Sequence, residues 1–384
     1  MSARMSSVVE SGTVKVADKV KELKSKGIDV ISFSIGEPDF PTPQHIVDEC
    51  ISALKAGFTK YTPSSGIPEL REAIAEKLRS ENRIDAHASE IVVTPTKQAI
   101  FMAVLALVDR GSEVIMPDPA WVSYEPMVRI AEDIPVPVRA DEETSFRLTP
   151  ELVAEKINDS TRMIILNSPC NPTGAVMRKE DVAGICELAV DHDLLIISDE
   201  IYEKIIYDAV NHSPASLDGM KERVITVNGF SKTYSMTGWR LGYLHADKSL
   251  IGDIQKIQTH SITCATSFVQ KAGVAALKGP REPVEEMVAE FRRRRDFVVR
   301  RIGEINGLSM VEPKGAFYAF PKYEFDMDSD RMGDYLLDQA HVGVTPGSSF
   351  GKFGEHHFRI SYATGMEQLE KGLDAIEKAL VRLG

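Results

Sequence analysis

Side chains able to do chemistry recur at one kind of place in this sequence, just beyond short apolar runs. Thr96 and Lys97 follow Ile91-Val92-Val93, and Trp121 follows Val114-Ile115-Met116 after Pro117-Asp118-Pro119. Asn171 comes after Met163-Ile164-Ile165-Leu166, Asp199 after Leu194-Leu195-Ile196-Ile197, and Ser231 with Lys232 after Val224-Ile225-Thr226-Val227. Gathered in one crevice, these would offer an aromatic plate, an amide, a carboxylate and two amines. Taken singly each has an ordinary reading: the lysines as solvated amines, Trp121 as core, Asn171 as the turn residue of Asn-Pro, Asp199 as a helix cap. Their shared position sets them apart.

The runs are continuous rather than alternating, as expected of strands covered on both faces. Between them lie helix-period stretches such as 98–109, stopped by Gly111, and 179–192. This alternation predicts an α/β fold with a helix-covered, largely parallel sheet over roughly residues 45–280, a large domain. In open sheets of that kind ligands bind beyond the carboxyl ends of the strands. Past Gly279-Pro280 the texture changes to a long charged helix, Glu282–Glu304, strand-like 315–320 and 358–362, and a closing helix from Met366. Thr364 and Glu367 fit a capping box for that last helix. With an N-terminal helix over about Lys15 to Ser25, residues 1–44 and 281–384 predict a smaller α+β domain. The basic run 292–295 has Glu285, Glu286 and Glu290 within helical pairing reach, which predicts a solvated, ion-paired face.

A chain of 384 residues suits two domains. Its net charge of −12 argues against a general nucleic-acid binder, which needs a basic face. Cys50, Cys170, Cys186 and Cys264 form no CxxC pair and no zinc spacing, so no metal site is expected and buried reduced thiols are. Residues 1–10 hold no apolar core for a signal peptide, and no run approaches the ~18 apolar residues of a membrane span. The expected location is cytoplasmic.

The segment Gly229-Phe230-Ser231-Lys232-Thr233-Tyr234-Ser235-Met236-Thr237-Gly238-Trp239-Arg240-Leu241-Gly242 carries the strongest signal. It resembles the cofactor-lysine motif of the class I and II aminotransferases, with the arginine eight residues after the lysine. Other parts of that family's pattern follow in order: Gly36-Glu37-Pro38-Asp39-Phe40, Tyr61 before Gly66-Ile67-Pro68-Glu69-Leu70-Arg71, Asn171-Pro172-Thr173-Gly174, Asp199-Glu200-Ile201-Tyr202 and Phe358-Arg359-Ile360-Ser361. The resemblance runs from about Thr13 to the C-terminus.

It implies the fold type I architecture and pyridoxal 5′-phosphate held as a Schiff base on Lys232, whose freed amine would carry the proton between substrate and cofactor. Asp199 would pair with the pyridine nitrogen, and Tyr202 and Asn171 would bond the 3′-oxygen. Trp121 would stack on the ring, and Arg240 would bind the phosphate bidentately. Ser231, with Thr96 and Lys97 at a helix start, would complete the phosphate cup. Tyr61 would reach the phosphate of a neighbouring subunit, which makes a homodimer part of the mechanism. Two departures bear on the phosphate. Pro95-Thr96 stands where many relatives have a glycine pair, so a backbone donor is lost and the Thr96 hydroxyl is expected to serve instead. Gly229 stands where some relatives carry a hydroxyl. Cys170 for asparagine is expected to be harmless.

Arg359 would clamp the substrate α-carboxylate, with Gly36, Asn171 and Trp121 around it. Lys97, helped by Thr13, matches a branch of aspartate aminotransferases that reads the distal carboxylate there. Residues 228–242 and 265–273 also resemble aromatic aminotransferases, so an aromatic donor is the alternative. The reaction implied is ping-pong, from aspartate to 2-oxoglutarate. β-Elimination and prephenate amino transfer use related sites. A regulator built on this fold would need an added DNA-binding domain, for which this chain leaves no residues.

Overall fold

The structure is a computed structural model that describes residues 5–6, 8 and 12–383; the stretch 1–10, read as holding no signal-peptide core, lies mostly outside them. Seven strands form the central sheet: β1 (Ile91–Val93), β2 (Glu113–Asp118), β3 (Ile134–Arg139), β4 (Thr161–Asn167), β5 (Leu195–Asp199), β6 (Val224–Gly229) and β7 (Gly242–His245). Their order is β1-β7-β6-β5-β4-β2-β3, and only the pairs made by β7 are antiparallel. The expected largely parallel sheet is therefore present.

The unbroken apolar runs are explained by where alternate residues go. Ile115, Ile164 and Ile196 face one buried core, while Val114, Met163, Ile165 and Ile197 face another on the opposite side. A period of two divides each run between two dry faces, so neither can be polar. Sequence reading missed β3, whose Ile-Pro-Val-Pro-Val pattern looks unlike a strand. It lies at the sheet edge, where a proline costs no ladder bond.

A third core gathers Phe33, Phe291, Phe317, Phe358 and Leu369 around the helices Glu282–Glu304, Ser329–Ala340 and Met366–Leu380. Tyr202 and Ile205, just beyond β5, belong to it. The loop that follows Asp199 is thereby anchored on the far side of the crevice.

Several local expectations are corrected. The first helix begins at Gly12, which puts Thr13 inside it. The last helix is capped by Gly365 with no side-chain bond, so Thr364 sits one residue too early for a capping box. Of 315–320 only Tyr318–Ala319 is strand; Ala316 has φ 55°, left-handed backbone that breaks the extension. The helix after β1 runs Thr96–Leu107, ending before Gly111. Cys50, Cys170 and Cys186 are buried, but Cys264 is only half-buried.

The arginine run is not a solvated face throughout. Arg293 pairs with Glu290, but Arg294 and Arg295 are buried. Arg294 reaches Asp39 at 2.7 Å and Arg295 reaches Asp208 and Glu312, while Arg292 also takes Asp208. Arg294 also keeps its helical partner Glu290 at 2.9 Å and Arg295 its neighbour Asp296 at 2.6 Å, so the distant partners add to the helical ones and bury both guanidiniums. No helix among the described residues is long and apolar enough to cross a membrane.

Lys77 and Glu203 form a buried ion pair, joined by Asn82. Burial would depress the Lys77 amine, yet Glu203 holds it above its usual value, and Glu203 falls below its own against the same desolvation. Removing one partner strands the other charge. Lys77→Met is expected to cost about 3–5 kcal/mol in denaturant unfolding. A loss under ~1 kcal/mol would mean that water already satisfies Glu203.

Candidate active site

The carboxyl ends of β1, β2, β4, β5 and β6 open on a cavity of about 300 Å³. Thr96, Lys97, Trp121, Asn171, Asp199, Ser231 and Lys232 all line it, as do Tyr202, Arg240, Arg359, Gly36 and Thr13. Of the residues singled out by sequence, Tyr61 alone is absent from the wall; it is 88% exposed.

Asp199 ends β5 and is buried. Its carboxylate accepts the Tyr124 hydroxyl at 2.6 Å and the backbone N–H of Ile201 at 3.3 Å. Burial pushes the acid up to about 6, against the pull of those bonds and of Lys232. Lys232 follows β6 and donates to the Gly36 carbonyl. Burial, and then the nearby Arg359 and Arg240, bring its amine down to about 8, with Glu37 and Asp199 opposing.

Arg359 lies on the strand Phe358–Ser361 in the third core's sheet, buried across the cavity. It donates to Asn171 Oδ1 at 2.8 Å and to the Ser34 carbonyl at 2.7 Å. Its guanidinium lies 4.5 Å from the Tyr318 ring centroid and 4.9 Å from that of Phe350. Its Nε is buried with no partner among the described residues. Asn171 is set by Asn167, whose Oδ1 accepts the Asn171 N–H at 3.0 Å. The Tyr202 hydroxyl meets that of Tyr318 at 2.9 Å, and a Cβ on Gly36 would fall 2.6 Å from the same Tyr318 oxygen. Gly36 is thus small because Tyr318 occupies its side-chain space.

Trp121 packs edge-on to Tyr124, and the Lys97 ammonium sits 4.9 Å from the Trp121 ring centroid. Burial, then Arg240, lowers the Lys97 pKa. Arg240 is exposed at its surface, held to the Thr237 carbonyl at 2.9 Å. The two departures from the family pattern prove to be one. The Thr96 hydroxyl stands where a Cβ at 229 or 242 would be, within 2.5 Å of each built position. A threonine after Pro95 therefore requires glycine at both neighbours.

Sequence reading missed Tyr124, Tyr318, Asn167, Ser34 and Thr237, all on the wall. Tyr124, three residues after Trp121 at the start of the helix Tyr124–Ile130, carried a signal in that spacing. Tyr318 carried none, because its partner Tyr202 is 116 residues away.

A largely parallel α/β sheet with a buried carboxylate and a lysine at its strand ends is the arrangement of the fold type I enzymes. Residues 28–376 match the family model described as aminotransferase class I and II. The aspartate aminotransferase of Pyrococcus abyssi is 48% identical, the alignment covering 99% of this chain and 98% of that one. The aromatic-amino-acid aminotransferase 2 of Thermococcus litoralis is 46% identical over 93% of each. The structure of the Thermus thermophilus aspartate aminotransferase with maleate superposes with a TM-score of 0.95 at 40% identity, covering 99% of both chains. The chain belongs to the class I and II aminotransferases.

Proposed function

We propose that the chain is a pyridoxal-phosphate-dependent aminotransferase moving the amino group of L-aspartate to 2-oxoglutarate in two half-reactions. The observation that carries this is the charge in the cavity: Lys97, Lys232, Arg240 and Arg359 line it, with Asp199 as the one carboxylate among the described residues of the wall. Cations crowded in a low-dielectric cleft repel one another and call for anions. A phosphate group and a dicarboxylic substrate supply them. The unpartnered Arg359 Nε is a donor waiting for an acceptor.

The residues present fit the cofactor. Arg240, Ser231 and the helix start at Thr96 would hold its phosphate, Trp121 its ring face, Asn171 and Tyr202 its 3′-oxygen, and Lys232 its reactive carbon. When bound, it supplies an electron-accepting ring for the pair left as the substrate Cα loses its proton. Lys232, with its amine at about 8, holds a usable neutral fraction near pH 7 to take that proton and return it. Asp199 would keep the ring nitrogen protonated, and a cation there would bring its own pKa back down. Arg359 would take the α-carboxylate, and Lys97, with Thr13, the distal one.

An aromatic donor is the second reading. It is favoured by the Thermococcus relative's name and by Lys97, whose lowered pKa eases its neutralisation beside an apolar ring. Following the cofactor absorbance without keto acid separates the two: conversion at lower aspartate than phenylalanine supports the first, and the reverse order the second. Lys97→Ala is expected to raise the aspartate KM about 10–100-fold, the worth of a charge-assisted bond, and that of phenylalanine under ~3-fold. Equal effects would remove Lys97 as the selector.

Residues 45–280 would form the large cofactor domain, with 1–44 and 281–384 the small one. A cytoplasmic homodimer completes the reading. Tyr61 is supported as the residue that crosses by its exposure and by the exposed Ile51 and Leu54 on the helix Gln44–Lys55, an apolar face suited to a second copy.

A further inference from the structure

A second cavity, of about 380 Å³, lies behind the loop of Lys232 and shares no wall residue with the first. Leu277 and the Tyr234 ring, which pack on one sheet core, face Val284 and Val288 of the helix Glu282–Glu304, where Val288 packs on the third core. The cavity is thus a seam between two hydrophobic cores, with apolar walls wide enough for one aromatic ring.

Its rim is cationic. Lys204 and Arg281 both take Glu81, at 2.7 and 2.8 Å, so one carboxylate answers two cations. Lys77 and Arg292, also on the wall, are paired outside it with Glu203 and Asp208. Glu285 is the other acid on the wall and makes no ion pair among the described residues, which disfavours a dianion. An independent sign of a ligand lies at the back. Thr233 is 4% exposed, yet its hydroxyl has no hydrogen-bond partner among the described residues. That oxygen opens on the cavity and can bond whatever fills it.

We propose that this cavity is a second ligand site for a small aromatic monocarboxylate. The ring sits between Tyr234 and Val288, and the carboxylate sits on Arg281 and Lys204 beside Glu81. A polar substituent on the ring would satisfy Thr233. Thr233 adjoins Lys232, and Lys204 stands two residues after Tyr202. Occupancy therefore presses on both loops that carry the reaction, and the site acts as an effector site. Binding stands without the reading of Lys232; only the effect on turnover rests on it.

Phenylacetate is a suitable probe, having neither amino nor keto group. Titrated calorimetrically into the cofactor-loaded full chain with saturating maleate, it is expected to bind saturably at one site per chain. Arg281→Glu is expected to weaken it at least about 10-fold by placing a like charge on the carboxylate. Val284→Trp, which fills the seam, should remove it, and Arg281→Glu should keep wild-type turnover without probe. If Val284→Trp fails to fold, Arg281→Glu, changing an exposed side chain, still decides. The site is overturned by absence of saturable binding, by displacement with maleate, by equal affinity for uncharged 2-phenylethanol, or by Arg281→Glu binding as wild type. The effector role is supported by a twofold or larger change in kcat with bound phenylacetate, and overturned by an unchanged kcat at full occupancy. Failure of the aminotransferase reading would show separately, as absent amino transfer before any probe is added.

Discussion

Lys232→Ala is expected to lower turnover by roughly 10⁴-fold or more while the protein still folds and still takes up its cofactor. The magnitude follows from two losses at one atom. General acid–base transfer by a positioned side chain contributes about 10²–10⁴-fold, and covalent attachment contributes further. The fold should tolerate the change because the amine's one hydrogen bond among the described residues is to the Gly36 carbonyl, and its burial already costs enough to bring the pKa down to about 8. Phosphate and ring contacts at Arg240, Ser231 and Trp121 would remain, so cofactor binding should persist. Absorbance of the bound cofactor and single-turnover kinetics check both halves. Turnover within tenfold of wild type would end Lys232's role.

Asp199→Asn is expected to slow turnover by roughly 10²–10³-fold and, in the cofactor-free chain at pH 7, to raise stability by about 1–3 kcal/mol. The opposite signs share one cause. Burial raises the Asp199 acid from its unfolded range to about 6, so the folded chain holds its proton more tightly than the unfolded chain. The stabilising proton is fully present below the unfolded pKa near 4 and is lost as pH rises through about 6. Above that the wild type carries a buried charge held by Tyr124 and the Ile201 N–H, and a neutral amide removes the cost. In the proposed mechanism, that charge would keep the ring nitrogen of a bound cofactor protonated. Denaturant melts of both chains at pH 5 and pH 8 test the sign: the gap should widen with pH. A variant less stable at pH 8 would show that the Tyr124 bond outweighs desolvation.

The sequence by itself determined five of the seven strands of the sheet and most of the cavity wall. Residues such as Ile164 and Ile165 must both be dry, which makes the strand legible without any contact being known. A side chain just past such a run has one place to go, the crevice beyond the strand end. Lys232, Asp199, Asn171 and Trp121 could therefore be gathered before any geometry, and the spacing of the lysine and arginine in 229–242 marked the family. Local chemistry was legible where it depended on neighbours in the chain, as in the Glu282–Glu304 helix.

Tertiary structure decided what depends on pairs distant in sequence. Tyr318 reaches Tyr202, Tyr124 holds Asp199, and Arg295 adds the distant Asp208 to its neighbour Asp296. The Thr96 hydroxyl fills the space at Gly229 only because two strand ends and a helix start converge. The one-residue error at Gly365 and the break at Ala316 were settled by backbone angles that neighbouring residue types leave open. Burial, which sets the acidity of Lys232 and Asp199, is a property of everything packed around a group, and no stretch of chain carries it alone.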